Sequence, residues 1–566
     1  MTLDVFLALA AFALCLAAAS PPVTGALARL PLLSRLRGAC ARLLQRRFLV
    51  LCALAALPAL ALRALWLTRL PGGLSADEAF IAVNARFLIC TGRDLSGSFL
   101  PPFLKGAGSL SSMGILTPLL TAPFVQALGM TVLAVRLPAL LLSMGSLALM
   151  AGLMRRACGR SCALLVLLLG GLSPWAFMSA RFATPAHALL FCLLLGTFLL
   201  GGVLPSRRPL ARLYGGAAAL AACMYTVDVA WLLAPLLLAG YAVSLARRGF
   251  AKRHIAASAA LFLLLSVPAL CAAAVNLLGL EPFRLLGLEI ERFDVPSFLT
   301  RFAFAGGWSA AWEAVRQGFV EFVGYLLLNI HTDEYTPSGI WTLWNQESAY
   351  AFLVPFLAVG ACALAARLRP GRRGAGMPLA LLGASLALFL LFTGFDSQEM
   401  YFVPAAVALV ASAGMWAVAR KLRLGLPAVA ALVLAASLPM AIAYFDEEYM
   451  YTTEGQYREG LVEAIEYARA LEPDTLYVTK ELHPTVQPEL TARAYACFAL
   501  DVPAGQTDGF EVVYFPSLAP DPASNAVYVG GYGEIDAFDY DAYNCAEFGD
   551  YCVLSSVAVY GVLEQP

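Results

Sequence analysis

The chain has 566 residues, 60% of them hydrophobic and only 13% charged, with a mean hydropathy of +0.75. That excludes a soluble globular protein of this size: the apolar residues fall in runs of about 20, the length that crosses a bilayer core. The formal net charge is zero, but residues 445–566 hold 22 acidic and four basic residues, and residues 1–444 hold 16 acidic and 34 basic ones. A basic membrane part and an acidic, polar tail are two different objects.

In chain order, residues 3–19 form an apolar run that resembles a signal peptide but carries Asp4 and no Lys or Arg before its core. Six arginines follow between Arg29 and Arg47, which the positive-inside rule places in the cytoplasm. The first run then reads as an extra helix with its N-terminus outside. The next span, about 48–69, leads outward and delivers Leu74-Ser75-Ala76-Asp77-Glu78-Ala79 to the external face. Residues 70–130 form a long external loop, in which 114–128 reads as a helix lying in the interface. Further spans are expected at 131–154, 161–178, 184–203, 211–226, 227–245 and 255–278. A second external loop, 280–347, contains an expected interfacial helix over 313–328. Four more spans, 348–367, 376–394, 401–419 and 425–444, bring the total to twelve. Every strongly basic link then falls on one side, and the acidic tail on the other. The tail has a helix-like stretch at 459–471 and β-like runs at 475–479, 511–515, 526–529 and 553–562, which predicts a small α/β domain. The expected organisation is 1–47, an extra helix with an Arg-rich link; 48–444, the transmembrane module; and 445–566, an extracytoplasmic domain.

Thirteen cysteines give no zinc pattern, since Cys158 and Cys162 lack a partner pair. Cys545 and Cys552 are able to form a disulfide if the tail lies outside the cell.

Asp77 and Glu78 are the residues most suggestive of chemistry. Membrane-level carboxylates tend to be functional, although an acid at a helix start is also a common cap. A carboxylate here is suited to taking a proton from an acceptor hydroxyl or to holding a divalent metal. Asp94 reads as a turn residue after Gly92, with a second reading in substrate binding. Arg136 and Arg181 lie at external ends of spans, where each needs a compensating anion; the readings are snorkelling to headgroups or a fork-like grip on a lipid phosphate. Arg86 is a weaker phosphate contact. His331, Trp344 and Asn345 belong to a loop mixing acids and aromatics, suited to a sugar ring or to an interfacial belt. His187 and Asp228 read as structural or solvated, and 396–399, before Tyr401, as a plain turn, with a second reading like that of the acid and aromatic loop.

These segments resemble a family. Leu-Ser-Ala-Asp77-Glu78-Ala, Ala85-Arg86, Thr91-Gly92-Arg93-Asp94 and Ala134-Val135-Arg136-Leu137-Pro138 look like the opening of GT-C integral-membrane glycosyltransferases, in the branch with protein O-mannosyltransferases and the lipid A aminoarabinose transferase. Ser173-Pro174-Trp175 with Ser179-Ala180-Arg181 resembles the next landmark. The resemblance implies a polytopic α-helical membrane protein of about twelve helices and a C-terminal extracytoplasmic α/β domain. It implies a polyprenyl-phosphate-linked sugar donor, an extracytoplasmic acceptor, inversion at the anomeric carbon, Asp77 as base and a multi-pass location in the cell membrane. No nucleotide sugar and no nucleic acid are expected as partners; a divalent metal stays open as a cofactor. The high Ala, Leu and Arg content suits a bacterium. The alternatives are a lipid-linked-sugar flippase, which would place polar residues at the midplane, and a non-catalytic scaffold.

Overall fold

The computed structural model describes residues 2–28, 31–105, 112–303, 308–327, 352–368, 376–394, 398–423, 426–446, 457–482, 487–504, 510–515, 518, 520–539 and 541–563. His331, Trp344 and Asn345 lie outside the described residues.

Every expected span meets a helix. The chain opens with α1 (Thr2–Ala19), α2 (Pro21–Ala28), the Arg-rich α3 (Pro31–Arg46) and α4 (Phe48–Ala64). Then come α5 (Ala76–Thr91), α6 (Leu116–Leu128), α7 (Val132–Ala157), α8 (Arg160–Leu172), α9 (Pro174–Met178), α10 (Pro185–Gly201), α11 (Pro209–Cys223), α12 (Ala230–Arg247) and α13 (Lys252–Leu278). The membrane part closes with α14 (Trp308–Leu327), α15 (Leu353–Ala365), α16 (Gly376–Leu391), α17 (Phe402–Lys421) and α18 (Leu426–Tyr444). Among the described residues five helices, α7, α12, α13, α17 and α18, are long and apolar enough to cross a membrane unaided, and two bent pairs raise the number to seven. One bend, 68° between α8 and the segment Pro174–Arg181, falls at Pro174, whose missing N–H suits a helix start better than a helix interior. The remaining spans are shorter, which suits helices that pack on neighbours. The split near 226/227 is present, as a non-helical turn over 224–229. The two helices expected in the interface are present as α6 and α14.

Leucines facing outward, such as Leu264 at 70% exposure and Leu236 at 59%, make this a multi-pass membrane protein: in water they would form a large unfavourable apolar surface. The links separate onto two faces. On the basic face Arg160 donates to Gln45 O (3.3 Å), Arg156 to Phe198 O (2.6 Å) and Arg367 to Ala157 O (3.2 Å). On the opposite face the first loop pairs with the second: Phe99 N–H donates to Glu289 (2.9 Å), Glu289 N–H to Phe99 O (3.1 Å), and Lys105 pairs with Glu291 at 3.3 Å. The first loop carries the hairpin β1 (Phe103–Lys105) and β2 (Ser112–Gly114), the second β3 (Phe283–Leu285) and β4 (Leu288–Ile290). Gly114 has to be glycine, since a Cβ there would lie 1.9 Å from Tyr225 O.

The tail is an α/β unit. Strands β5 (Thr475–Thr479), β6 (Glu511–Val513), β7 (Ala526–Gly531), β8 (Tyr543–Phe548) and β9 (Tyr551–Ser556) form one sheet of order β6-β5-β7-β9-β8. The first three are parallel and the last two antiparallel. The run expected at 553–562 stops at Ser556, whose side chain caps a short helix; β8 and the helix Pro488–Ala499 add to the expected elements. Cys545 and Cys552, on β8 and β9, are free thiols. The tail shares an apolar core with α5: Phe80, Val83 and Phe87 pack in one cluster with Leu461, Ile465, Tyr495 and Val478.

Helices α15 and α17 cross through facing glycines. A Cβ on Gly414 would lie 1.8 Å from Phe356 O and one on Gly360 2.0 Å from Val410 O, the small-residue contact that lets membrane helices approach. Gly414→Ala is expected to destabilise the protein by about 1–3 kcal/mol, read as a lower thermal midpoint in detergent; an unchanged midpoint would mean that the crossing relaxes freely.

Candidate active site

Asp77 occupies the first turn of α5, where the helix dipole favours an anionic side chain. It is 8% exposed, shielded yet at the edge of the bundle. Gln398 Nε2 donates to Asp77 Oδ2 at 2.9 Å, and the Thr184 hydroxyl donates to Gln398 Oε1. The threonine thereby fixes which end of the Gln398 amide faces the carboxylate. Three segments meet here: the start of α5, the turn before α10 and the turn before α17.

Glu78 has a different task. With Ser75 it forms a capping box, Ser75 N–H donating to Glu78 Oε2 (3.0 Å) and Glu78 N–H to Ser75 Oγ (3.3 Å). Its carboxylate also accepts from Ala183 N–H (3.1 Å) and from Arg136, Nε to Oε1 at 2.8 Å and Nη2 to Oε2 at 3.2 Å. Glu78 is fully buried, with both carboxylate oxygens held by these contacts.

Arg136 is fully buried as well. Its other N–H groups donate to Leu67 O (2.9 Å), Pro71 O (3.0 Å) and Gly73 O (2.8 Å), so all five guanidinium donors are taken and none is left for a phosphate. Arg181 is fully buried and donates to Leu62 O (2.5 Å), Leu65 O (2.6 Å) and Leu70 O (2.9 Å); it closes the orphan carbonyls where α4 ends. Arg136 has its compensating anion in Glu78, whereas Arg181 is held by backbone carbonyls. Arg86 forms an ion pair with Asp501 of the tail. Asp94 accepts from the Ser96 hydroxyl (2.7 Å) and Ser98 N–H (2.8 Å), the turn role weighed for it; burial raises its pKa above the ordinary range.

Residues with little signal in the sequence also converge on this face. Asp228, in the turn between α11 and α12, is buried; it accepts from the Ser297 hydroxyl and sits against the Glu399 carboxyl. Of the two readings of Asp228, burial selects the structural one; Gln398 and Glu399 lie in a turn, and Asp396 and Ser397 lie outside the described residues. His187 is buried and structural, its Nε2 2.8 Å from Ser179 O and its Nδ1 3.1 Å from Tyr401 OH. Arg63, inside α4, is buried and donates to Ala59 O (2.8 Å), Gly171 O (2.7 Å) and Ala176 O (2.8 Å). Among the described residues no group of three or more His, Cys, Asp or Glu forms a metal ligand set.

Burial raises the Asp228 pKa. The unfolded chain therefore ionises Asp228 first, and stability falls as pH rises from the unfolded pKa through the folded one. Asp228→Asn is expected to raise the thermal midpoint at neutral pH, with the gain vanishing below the unfolded pKa. A midpoint lowered at all pH values would contradict this.

No family model matches the sequence, and no curated relative does. Solved structures do match. One is ArnT from Cupriavidus metallidurans bound to undecaprenyl phosphate: 15% identity, 91% of this chain and 98% of that chain covered, TM-score 0.58. The archaeal oligosaccharyltransferase AglB from Archaeoglobus fulgidus, in complex with an inhibitory peptide and a dolichol-phosphate, matches at 13% identity, 80% and 64% coverage and TM-score 0.46. The arabinofuranosyltransferase AftD from Mycobacteria matches at 15% identity, 77% and 30% coverage and TM-score 0.40. The correspondence with ArnT takes in bundle, loops and tail alike, so over nearly its whole length this chain has the fold of the GT-C integral-membrane glycosyltransferases.

Proposed function

We propose that the protein is a membrane glycosyltransferase that moves a sugar from a polyprenyl-phosphate carrier to a protein, lipid or glycan acceptor, with inversion. The observation that carries the reading is Asp77 itself. In a fold shared with ArnT over 91% of the chain, it is a carboxylate at the first turn of α5, 8% exposed and oriented by Gln398. Its carboxylate accepts the acceptor hydroxyl proton while that oxygen attacks the anomeric carbon. The bond to the carrier phosphate breaks with its electron pair, and the phosphate leaves as an anion. Charge developing on the leaving group calls for a cation. With Arg136 and Arg181 buried in backbone contacts, Lys105, partly exposed beside Glu291 on the same face, is the proposed contact. The face bearing Asp77 and the acidic tail lies outside the cell and the basic face inside, in keeping with the positive-inside rule. The membrane is the plasma membrane, residues 48–444 the catalytic module and 445–566 the external domain.

The test is transfer in membranes holding the full chain, supplied with a panel of labelled polyprenyl-phosphate sugars and acceptors. Transfer that depends on the protein is expected. Its absence across the whole panel would favour a flippase or a scaffold.

A further inference from the structure

On the basic face, remote from Asp77, a cavity of about 330 Å³ opens between the elbow joining α7 to α8 and the ends of α15 and α17. That volume falls within the small-ligand range of roughly 300–1,000 Å³. Cys158, Cys162, Arg367, Trp416, Ala417 and Arg420 line it, with no carboxylate among the lining residues. The charge around it is one-sided. The links 155–160, 367–373 and 420–423 hold ten basic residues and no acidic one.

The neighbouring arginines of the elbow turn elsewhere: Arg155 and Arg160 lie over the Phe48 ring at 5.0 and 5.6 Å, and Arg156 over Phe198 at 3.6 Å. Arg367 and Arg420 instead face the cavity. Arg367 donates one bond, to Ala157 O (3.2 Å), and touches the Cys158 thiol. Neither arginine has an acidic partner among the described residues. Two like charges brought from separate helices to one cavity at a membrane surface repel each other unless an anion joins them. The alanine and Trp416 wall gives that anion an apolar flank, and a basic pocket between transmembrane helices is the setting in which acidic lipid headgroups bind.

We propose that this cavity binds the phosphodiester headgroup of an anionic phospholipid from the basic-face leaflet. Arg367 and Arg420 hold the phosphate, and Trp416 lies against the glycerol and upper acyl region. The site is separate from the proposed transfer reaction, and its test does not read activity.

The experiment is native mass spectrometry of the full chain in detergent, with phosphatidylglycerol or phosphatidylcholine added in equal amounts. Selective retention of phosphatidylglycerol is expected. It should fall roughly tenfold or more in the double variant Arg367→Gln/Arg420→Gln. It should persist in Arg367→Lys/Arg420→Lys, which keeps the charge, and in Arg253→Gln, which removes a charge from the same face outside the cavity. Equal retention of both lipids, or an equal loss in Arg253→Gln, would overturn the proposal by showing only general attraction to the face. Displacement of the lipid by millimolar inorganic phosphate would also overturn it, by making free phosphate the ligand.

Discussion

Asp77→Asn is expected to lower sugar transfer by roughly 10²–10⁴-fold, the usual worth of a positioned general base, without changing the thermal midpoint in detergent. The substitution separates basicity from packing. Asparagine keeps the shape and an oxygen able to accept from Gln398 Nε2, the contact that holds Asp77 Oδ2 at 2.9 Å, and it keeps the place in the first turn of α5. What it lacks is an oxygen basic enough to take the acceptor proton. The loss should appear in kcat, with KM for the lipid-linked donor little changed, because the proton moves only in the transition state. Wild-type rates in Asp77→Asn would remove this residue from the mechanism and leave the fold with no identified base.

The neighbouring acid should behave in the opposite way. Glu78→Gln leaves Arg136 charged, fully buried and without its counterion. Breaking a buried pair of this kind costs about 3–5 kcal/mol, so a large drop in thermal midpoint is expected, with the folded fraction retaining its turnover. Arg136→Met should be at least as damaging, since it also strips donors from Leu67 O, Pro71 O and Gly73 O. The double variant Glu78→Leu/Arg136→Met should recover part of the loss, because an apolar pair often replaces a buried ion pair without penalty, but the three carbonyls stay unsatisfied and recovery stops short. If Glu78→Gln instead melted normally and lost turnover a hundredfold, Glu78 would be restored to the chemistry and the scaffold role argued from its contacts would fail.

These two residues differ for a reason that no single sequence shows. Asp77 and Glu78 are adjacent acids after the same span, and either suits a base at an interface. Ser75 three residues before Glu78 is a capping-box pattern, the one local hint of which acid turns inward. The partner that decides the matter, Arg136, is 58 residues away. For Arg136 and Arg181 the sequence suggests headgroups or a lipid phosphate as partners, whereas Arg136 pairs with Glu78 and Arg181 donates to backbone carbonyls. Arg181 satisfies the end of α4 across 111–119 residues of chain, a distance over which helical periodicity carries no information. Gln398, Thr184, Asp228 and Glu399 had no signal beyond being polar near span ends, since each acquires its meaning from a loop elsewhere.

What the sequence by itself determined is the part governed by solvent: apolar runs, basic links and an acidic tail are one-dimensional properties, and a bilayer sorts them one at a time. It therefore located the expected spans, the break near 226/227 and strands β5 and β7, but not α2, α3 or α5, the helix that carries Asp77. Only the tertiary structure decided which charged groups find partners inside the protein. It closed Glu78, Arg136 and Arg181 into the scaffold, fused the tail to α5 through a common core, and placed Gln398 on Asp77. A buried charge takes its role from whichever partners replace its lost water, and those partners come from chain segments that only folding brings within 3 Å.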